Sequence, residues 1–256
     1  MFRRAIVRPP AENFADGLTT ADLGKPDFRL ALAQHEAYCQ ALEDCGLEVL
    51  RLPPDKKYPD STFVEDTAVL AGRSAILCRP GAASRIGEVE GVRESIQCFY
   101  SVVHEIAAPG TLDGGDVCEA GSHFFIGLSH RTNEQGALQL GRFLEASGYT
   151  SSTVDIRSMQ SILHLKSGIA YLDNNVLVVM EELAGWEEFS GFGLLPVSPE
   201  ESYACNCVLM NDRVLVPAGF PRINGELDRR GYKTIPLEMS EFRKMDGGLS
   251  CLSLRL

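Results

Sequence analysis

No run in this 256-residue chain is apolar for long enough to span a bilayer, and the N-terminus, Met1 to Pro10, has only the short apolar centre Ala5-Ile6-Val7. A helical membrane anchor and the hydrophobic region of a secretory signal are therefore not expected, and a cytoplasmic protein is. Basic residues are also scarce. Lys and Arg number 24 against 35 Asp and Glu, a formal charge of -11, which repels nucleic acid and acidic membrane faces but not a small cation. The eight cysteines never form paired C-x-x-C clusters, so neither a zinc site nor a disulfide framework is suggested, and they read as reduced thiols. Nothing in the composition forces a division of the chain. With 45% hydrophobic residues, one core is affordable and residues 1–256 are expected to form a single domain.

What is present is a recurring order of strand, strand, helix, strand. An opening strand at Ala5 to Arg8 leads through a polar loop containing Leu18 into a helix expected from about Asp27 to Cys45, and Glu48 to Leu52 returns as a strand. Thr67 to Ala71 and Ser74 to Cys78 then flank a Gly72-Arg73 turn. Ser84 to Phe99 follows as a helix with Ile86, Val89, Val92, Ile96 and Phe99 on one face, and Val103 to Ala107 as a strand. The next round has a helix opened by a Thr132 and Gln135 capping box. The fourth has a shorter helix containing Trp186, and the fifth a helix near Arg222 to Arg230. Glu65, Asp116, His164, Asn206 and Cys251 open successive rounds, roughly 40 to 50 residues apart, which is a repeat period. Closed into a ring, such units bring these residues to the centre, and the last segment, Leu249 to Leu256, supplies the strand that the N-terminal unit lacks.

That last segment carries the candidate nucleophile. In Met245-Asp246-Gly247-Gly248-Leu249-Ser250-Cys251, two glycines permit positive φ or close backbone approach just before a thiol. The acidic group Asp60, Glu65 and Asp66 surrounds Phe63 and Val64, which argues for partial burial and for a cationic ligand. Leu18, in Asp16-Gly17-Leu18-Thr19-Thr20, is read either as tucked onto the core or as the apolar tip of a lid. Asp113, before Gly114-Gly115, is either a turn residue or a partner for an imidazole.

Phe63-Val64-Glu65-Asp66, Arg79-Pro80-Gly81-Ala82 with Arg85, Thr111-Leu112-Asp113-Gly114-Gly115-Asp116, Arg131-Thr132-Asn133, His164-Leu165-Lys166-Ser167 and Asp246 to Cys251 follow one another along essentially the whole chain. Together they resemble the dimethylarginine dimethylaminohydrolase family of guanidine-modifying enzymes. The resemblance implies an α/β fold, a five-bladed pseudo-symmetric ββαβ propeller of the pentein type with the active site on its axis. It also implies hydrolysis of Nω-methylated arginine, monomethyl or asymmetric dimethyl, to citrulline and methylamine or dimethylamine. Cys251 would attack the guanidinium carbon to form a covalent thiouronium, His164 would serve as acid and base, and Asp113 would orient it. Asp60, Glu65 and Asp66 would hold the guanidinium with Phe63 flanking it, Arg85 and Arg131 would hold the carboxylate, and Leu18 and the carbonyl of Met245 would complete the shell. No cofactor and no metal is implied, and a homodimer is left open.

Two other functions are carried forward. One is a deiminase releasing ammonia from arginine, against which stands Leu165-Lys166 after His164, where such enzymes typically have His-x-Asp. The other is a non-catalytic propeller acting through its surface, which would have no need of Cys251, His164 and the Glu65-Asp66 pair together.

Overall fold

A computed structural model describes all residues, Met1–Leu256. Strand β1 (Arg4–Val7) pairs in parallel with β2 (Glu48–Arg51), which it reaches through helix α1 (Phe28–Asp44). Four three-stranded units follow: β3 (Ala68–Ala71), β4 (Ser74–Leu77) and β5 (Val102–Glu105); β6 (Val117–Ala120), β7 (His123–Leu128) and β8 (Thr150–Asp155); β9 (Ile169–Tyr171), β10 (Val176–Met180) and β11 (Gly193–Val197); β12 (Val208–Met210), β13 (Arg213–Pro217) and β14 (Lys233–Leu237). In each, the first two strands are antiparallel and the last two parallel. The first unit obeys the same rule only because β15 (Leu254–Arg255) joins β1 antiparallel, Ala5 opposite Arg255 and Ile6 opposite Leu254. The two ends of the chain therefore complete one blade of a five-bladed α/β propeller.

The strands are short and β-branched or Leu-rich, and in β4 and β10 nearly every residue is buried. Such strands read as continuous apolar runs because neighbouring blades and covering helices bury both faces. Helices α2 (Glu90–Gln97), α3 (Glu134–Ala146) and α4 (Pro221–Arg229) supply the cover, each with a polar outer side. A further helix, α5 (Ser240–Arg243), precedes the Cys251 segment and packs on α1.

Several sequence expectations need correction. The first half of the segment expected as a helix from Ser84 is 3-10, Ala83–Val89, and only Glu90–Gln97 is α. The tighter winding turns Arg85 inward onto Asp66 and Glu88, and Ile86 and Phe99, expected on the buried face, are 39% and 38% exposed. Asn133, not Thr132, caps α3: its Oδ1 accepts from Gly136 N at 2.8 Å, while Thr132 Oγ1 donates to Asp116 at 2.7 Å. The helix expected around Trp186 is a 3-10 turn, Glu187–Phe189, in a connection interrupted by Gly185 and Gly191. The terminal strand is only Leu254–Arg255, because Ser250–Leu252 is itself a 3-10 turn.

Leu254 lies in the cluster of Ile6, Val64, Leu77, Val92 and Ile96 between the first two blades. Leu254→Ala is expected to cost about 2–4 kcal/mol in urea unfolding, against less than about 0.5 kcal/mol for Leu138→Ala at an exposed position of α3. Equal costs would mean that the C-terminal strand does not close the ring.

Candidate active site

Five turns meet on the axis and bind one another in a circuit. Gly115 N donates to Asp66 Oδ1 at 2.9 Å, and Leu165 N to Asp116 Oδ1 at 3.0 Å. Asn206 Nδ2 donates to the carbonyl of Lys166 at 2.8 Å, and Ser250 N to Asn206 Oδ1 at 2.9 Å. Ser250 Oγ closes the circuit on Glu65 Oε2 at 2.7 Å. Each link joins one blade's turn to the next, so buried amides and hydroxyls that no sheet could pair find acceptors here. The two glycines before Cys251 serve close packing, not positive φ. A Cβ on Gly247 would stand 2.3 Å from Phe63 Cε1 and one on Gly248 2.4 Å from Asn206 Oδ1. The positive φ of the segment falls on Asp246, at 57°.

On one side of this circuit is a narrow cleft enclosing about 20 Å³, lined by Leu18, Asp60, Phe63, Asp66, Arg85, Arg131, Leu163, His164, Met245, Asp246, Gly247 and Cys251. Asp113 stands behind it, fully buried, its Oδ2 3.0 Å from His164 Nε2 and its Oδ1 accepting from Gly81 N at 2.8 Å. Glu65 does not line the cleft. It borders a separate cavity of about 570 Å³ that runs along the inner strands toward their hairpin turns. That larger space contains no paired thiol and imidazole, so the chemistry is assigned to the smaller one. Leu18 tips a loop latched at two points, its own N–H to Asp60 Oδ1 at 3.0 Å and Thr20 N to Asp246 Oδ2 at 2.5 Å. Leu163, Asp246 and Gly247 were not anticipated. For the latter two, the signal available was their adjacency to Met245 in a turn-forming Asp-Gly-Gly run.

The arginines differ in how fully they are committed. Arg85 Nε and Nη2 bind Glu88 and its Nη1 binds Asp66 Oδ2 at 2.7 Å, so one Nη1 N–H is left over. Arg131 Nη1 is buried and has no partner. A buried guanidinium donor without an acceptor is costly, and a ligand anion would relieve it.

Electrostatics set the resting protonation. Burial would depress the His164 imidazolium, but Asp66, Asp116 and Asp113 outweigh it and raise the group to about 9. Burial alone would raise Asp113; its hydrogen bond to His164 overcomes this and holds it below the usual carboxylate range. For Cys251, burial together with the charges of Glu65 and Asp66 pushes the thiol up to about 12. Near neutral pH the cleft thus holds a neutral thiol and a charged imidazole. Asp66, Asp113 and His164 bring ligand-type atoms within 4.8 Å of one another. However, Gly115 N, Arg85, Gly81 N and His164 already engage all four of the two carboxylates' oxygens, as in a hydrogen-bonded acid network. What the cleft can do is hold a planar cation against Asp60 and Asp66, attack it with sulfur and protonate what leaves.

Comparisons with known proteins agree with this geometry. Residues 25–185 match the family model described as N,N dimethylarginine dimethylhydrolase, eukaryotic. The N(G),N(G)-dimethylarginine dimethylaminohydrolase of Pseudomonas aeruginosa is 47% identical over 256 residues, covering the whole of both chains. A solved structure of a cysteine-to-serine mutant of the Pseudomonas aeruginosa enzyme, complexed with citrulline, superposes with a TM-score of 0.97 over the whole of both chains at 47% identity. A histidine-to-glycine dimethylarginine dimethylaminohydrolase, solved as an adduct with S-methyl-L-thiocitrulline, gives 0.96 over the whole of both chains, also at 47% identity.

If the thiol titrates near 12, alkylation of Cys251 by iodoacetamide in the ligand-free protein should accelerate about tenfold per pH unit from pH 7 to 10. Peptide mass spectrometry resolves the rate, and a plateau by pH 9 would contradict the electrostatic reading.

Proposed function

This chain belongs to the dimethylarginine dimethylaminohydrolase family, and from that premise we propose how its own residues carry the hydrolysis of Nω-methylated arginine to citrulline. The observation that supports the assignment is that a thiol, an imidazole held protonated and a carboxylate, Cys251, His164 and Asp66, face one cleft. The substrate brings a planar cation to the acidic side of this cleft. Asp66, oriented by Gly115 N and Arg85, and Asp60 accept its N–H groups, with Phe63 against its plane. Arg131, with its unpartnered donor, takes the α-carboxylate, and the spare N–H of Arg85 assists. Leu18 covers the bound molecule, and the carbonyl of Met245 accepts from its amino group.

Chemistry then proceeds in two halves. The guanidinium charge lowers the cost of the thiolate, so Cys251 gives up its proton to solvent as substrate binds and its sulfur adds to the central carbon. His164, charged beforehand, gives its proton to the substituted nitrogen. The C–N bond breaks, methylamine or dimethylamine departs, and a thiouronium remains on Cys251. Neutral His164 now takes a proton from water, and the resulting hydroxide adds to the same carbon. The C–S bond breaks as the added hydroxyl's proton passes through solvent to the departing sulfur, giving citrulline, the Cys251 thiol and charged His164. Asp113 keeps the ring oriented through both transfers. Glu65 is assigned an indirect part in this scheme, since it faces the other cavity. No helix is long and apolar enough to cross a membrane, and we place the protein in the cytoplasm, where unpaired buried thiols such as Cys118, Cys205 and Cys207 stay reduced.

Measuring the amine released from arginine, monomethylarginine and the two dimethylarginines tests the reading directly. Dimethylamine from the asymmetric substrate is expected, and ammonia from arginine as the main product would replace the proposal with a deiminase. Arg131→Ala should lower kcat/KM for methylarginine by roughly a hundredfold, about 2–3 kcal/mol, while changing that for methylated agmatine less than about threefold. Matching losses would make Arg131 structural. His164→Gly should accumulate a substrate-derived mass increment on the Cys251 peptide after acid quench, because water attack on the thiouronium has no substitute base. Full turnover by that variant, or an increment on Cys205 or Cys207, would displace both assignments.

A further inference from the structure

We propose that Lys166 is a positioning residue for the nucleophile, holding Glu65 from the far side of the ring so that the turn bearing Cys251 is fixed and its thiolate has a compensating positive charge. The inference rests on Cys251 being the nucleophile, as argued above.

Lys166 borders the large cavity and not the cleft, so it does not touch bound substrate. Its Nζ lies 2.6 Å from Glu65 Oε1, and Arg255 Nη2 lies 2.9 Å from the same oxygen. The other oxygen, Glu65 Oε2, accepts from Ser250 Oγ at 2.7 Å, one residue before Cys251. The carbonyl of Lys166 meanwhile accepts from Asn206 Nδ2, and Asn206 Oδ1 accepts from Ser250 N. Lys166 therefore reaches the Cys251 turn along two routes, by side chain through Glu65 and by backbone through Asn206.

A purely structural role would need only one cation on Glu65. Arg255 already provides it, anchored also on the carbonyl of Ser250 at 3.1 Å. Around Cys251, Glu65 and Asp66 come from the first turn, His164 and Lys166 from the third, Tyr203 from the fourth, and Arg255 from β15. Asp66 is paired with Arg85 and Asp113 with His164. With Arg255 also set against Glu65, Lys166 is a second positive charge on that carboxylate, and Glu119 is the further carboxylate that faces the two cations across the cavity. A nearby charge, partly screened, is worth about one unit in the ionisation of a thiol. The direction agrees with the Cys251 thiol, which burial, Glu65 and Asp66 push up and Lys166 pulls down.

The test compares wild type, Lys166→Met, Lys166→Gln and Lys166→Arg by Cys251 alkylation and by steady-state kinetics from pH 6 to 10. For Lys166→Met, alkylation and kcat/KM are expected to follow the wild-type profile displaced upward by about one pH unit. On the rising limb, from pH 6 to 10, that is a roughly tenfold loss of alkylation rate at each pH, with KM within about twofold. Lys166→Arg should restore the profile. Should Lys166→Met not accumulate folded, Lys166→Gln, which keeps a donor to Glu65 and removes only the charge, has to show the same displacement. No change of alkylation in either neutral variant, a loss in Lys166→Met that Lys166→Gln does not share, or a loss that Lys166→Arg does not restore, overturns the proposal. If alkylation of Cys251 in wild type leaves turnover intact, it is the nucleophile assignment that fails, a result distinct from either outcome for Lys166.

Discussion

A backbone amide buried on the axis of a ring has no strand to pair with, and leaving it unpaired costs about 1–3 kcal/mol. This constraint organises the centre of the molecule. Each blade ends inward in a 3-10 turn, and the amides and hydroxyls of those turns are met by Asp66, Asp116, Asn206 and Glu65 from adjacent turns. The blades are too small to stand alone, with strands of two to six residues. They share cores laterally and hydrogen bonds axially, and closure by β1 and β15 lets the circuit meet itself. Because acceptors strong enough for this task are mostly carboxylates, the device that joins the blades also charges the axis.

Buried carboxylates must be compensated, and each of the four here is compensated differently. Glu65 has Lys166 and Arg255, Asp66 has Arg85, and Asp113 has His164. Asp116 has no direct cationic partner but accepts from Ser129, Thr132 and the amide of Leu165. Such surroundings favour positive charge and oppose negative charge, so His164 is held protonated while the Cys251 thiol resists ionisation. In the proposed reaction the acid for the leaving amine is ready before substrate arrives, and the nucleophile is not. A substrate that carries its own positive charge supplies the missing condition, which couples thiolate formation to the correct ligand and leaves the empty site less open to adventitious electrophiles.

The blades were legible because β-branched runs separated by turn residues recur with constant order, and Val176 to Met180 can hardly be read otherwise. Motif order brought Cys251, His164 and Asp113 to notice, and the cleft brings them within one site. What escaped was decided by partners distant in sequence. Thr132 and Gln135 look like a capping box, but Asp116 claims the Thr132 hydroxyl and Asn133 caps instead. The 3-10 winding at Ala83–Val89 reflects Arg85 reaching Asp66, 19 residues earlier. Glu65 and Asp66 are neighbours with the same chemistry on paper. In a 3-10 turn successive side chains diverge, so Asp66 faces the cleft and Glu65 the opposite cavity, a distinction that no residue pattern contains.

That divergence explains why the wall between the two spaces is ionic. An apolar wall of equal volume would be as stable or more so, since the desolvation of buried charges is rarely fully recovered. It could not, however, accept the hydroxyl of Ser250 or stand opposite Lys166 and Arg255, and the Cys251 turn would lose its side-chain tie to the first turn. For the proposed reaction the turn has to be rigid in one specific sense, because sulfur must meet the guanidinium carbon at a right angle to a plane that Asp66 would set. Glu65 and Asp66, consecutive in the chain, therefore fix the two partners of the reaction from opposite sides of one peptide unit. In the proposed reaction Asp66 defines where the electrophile lies and Glu65, through Ser250, where the nucleophile does.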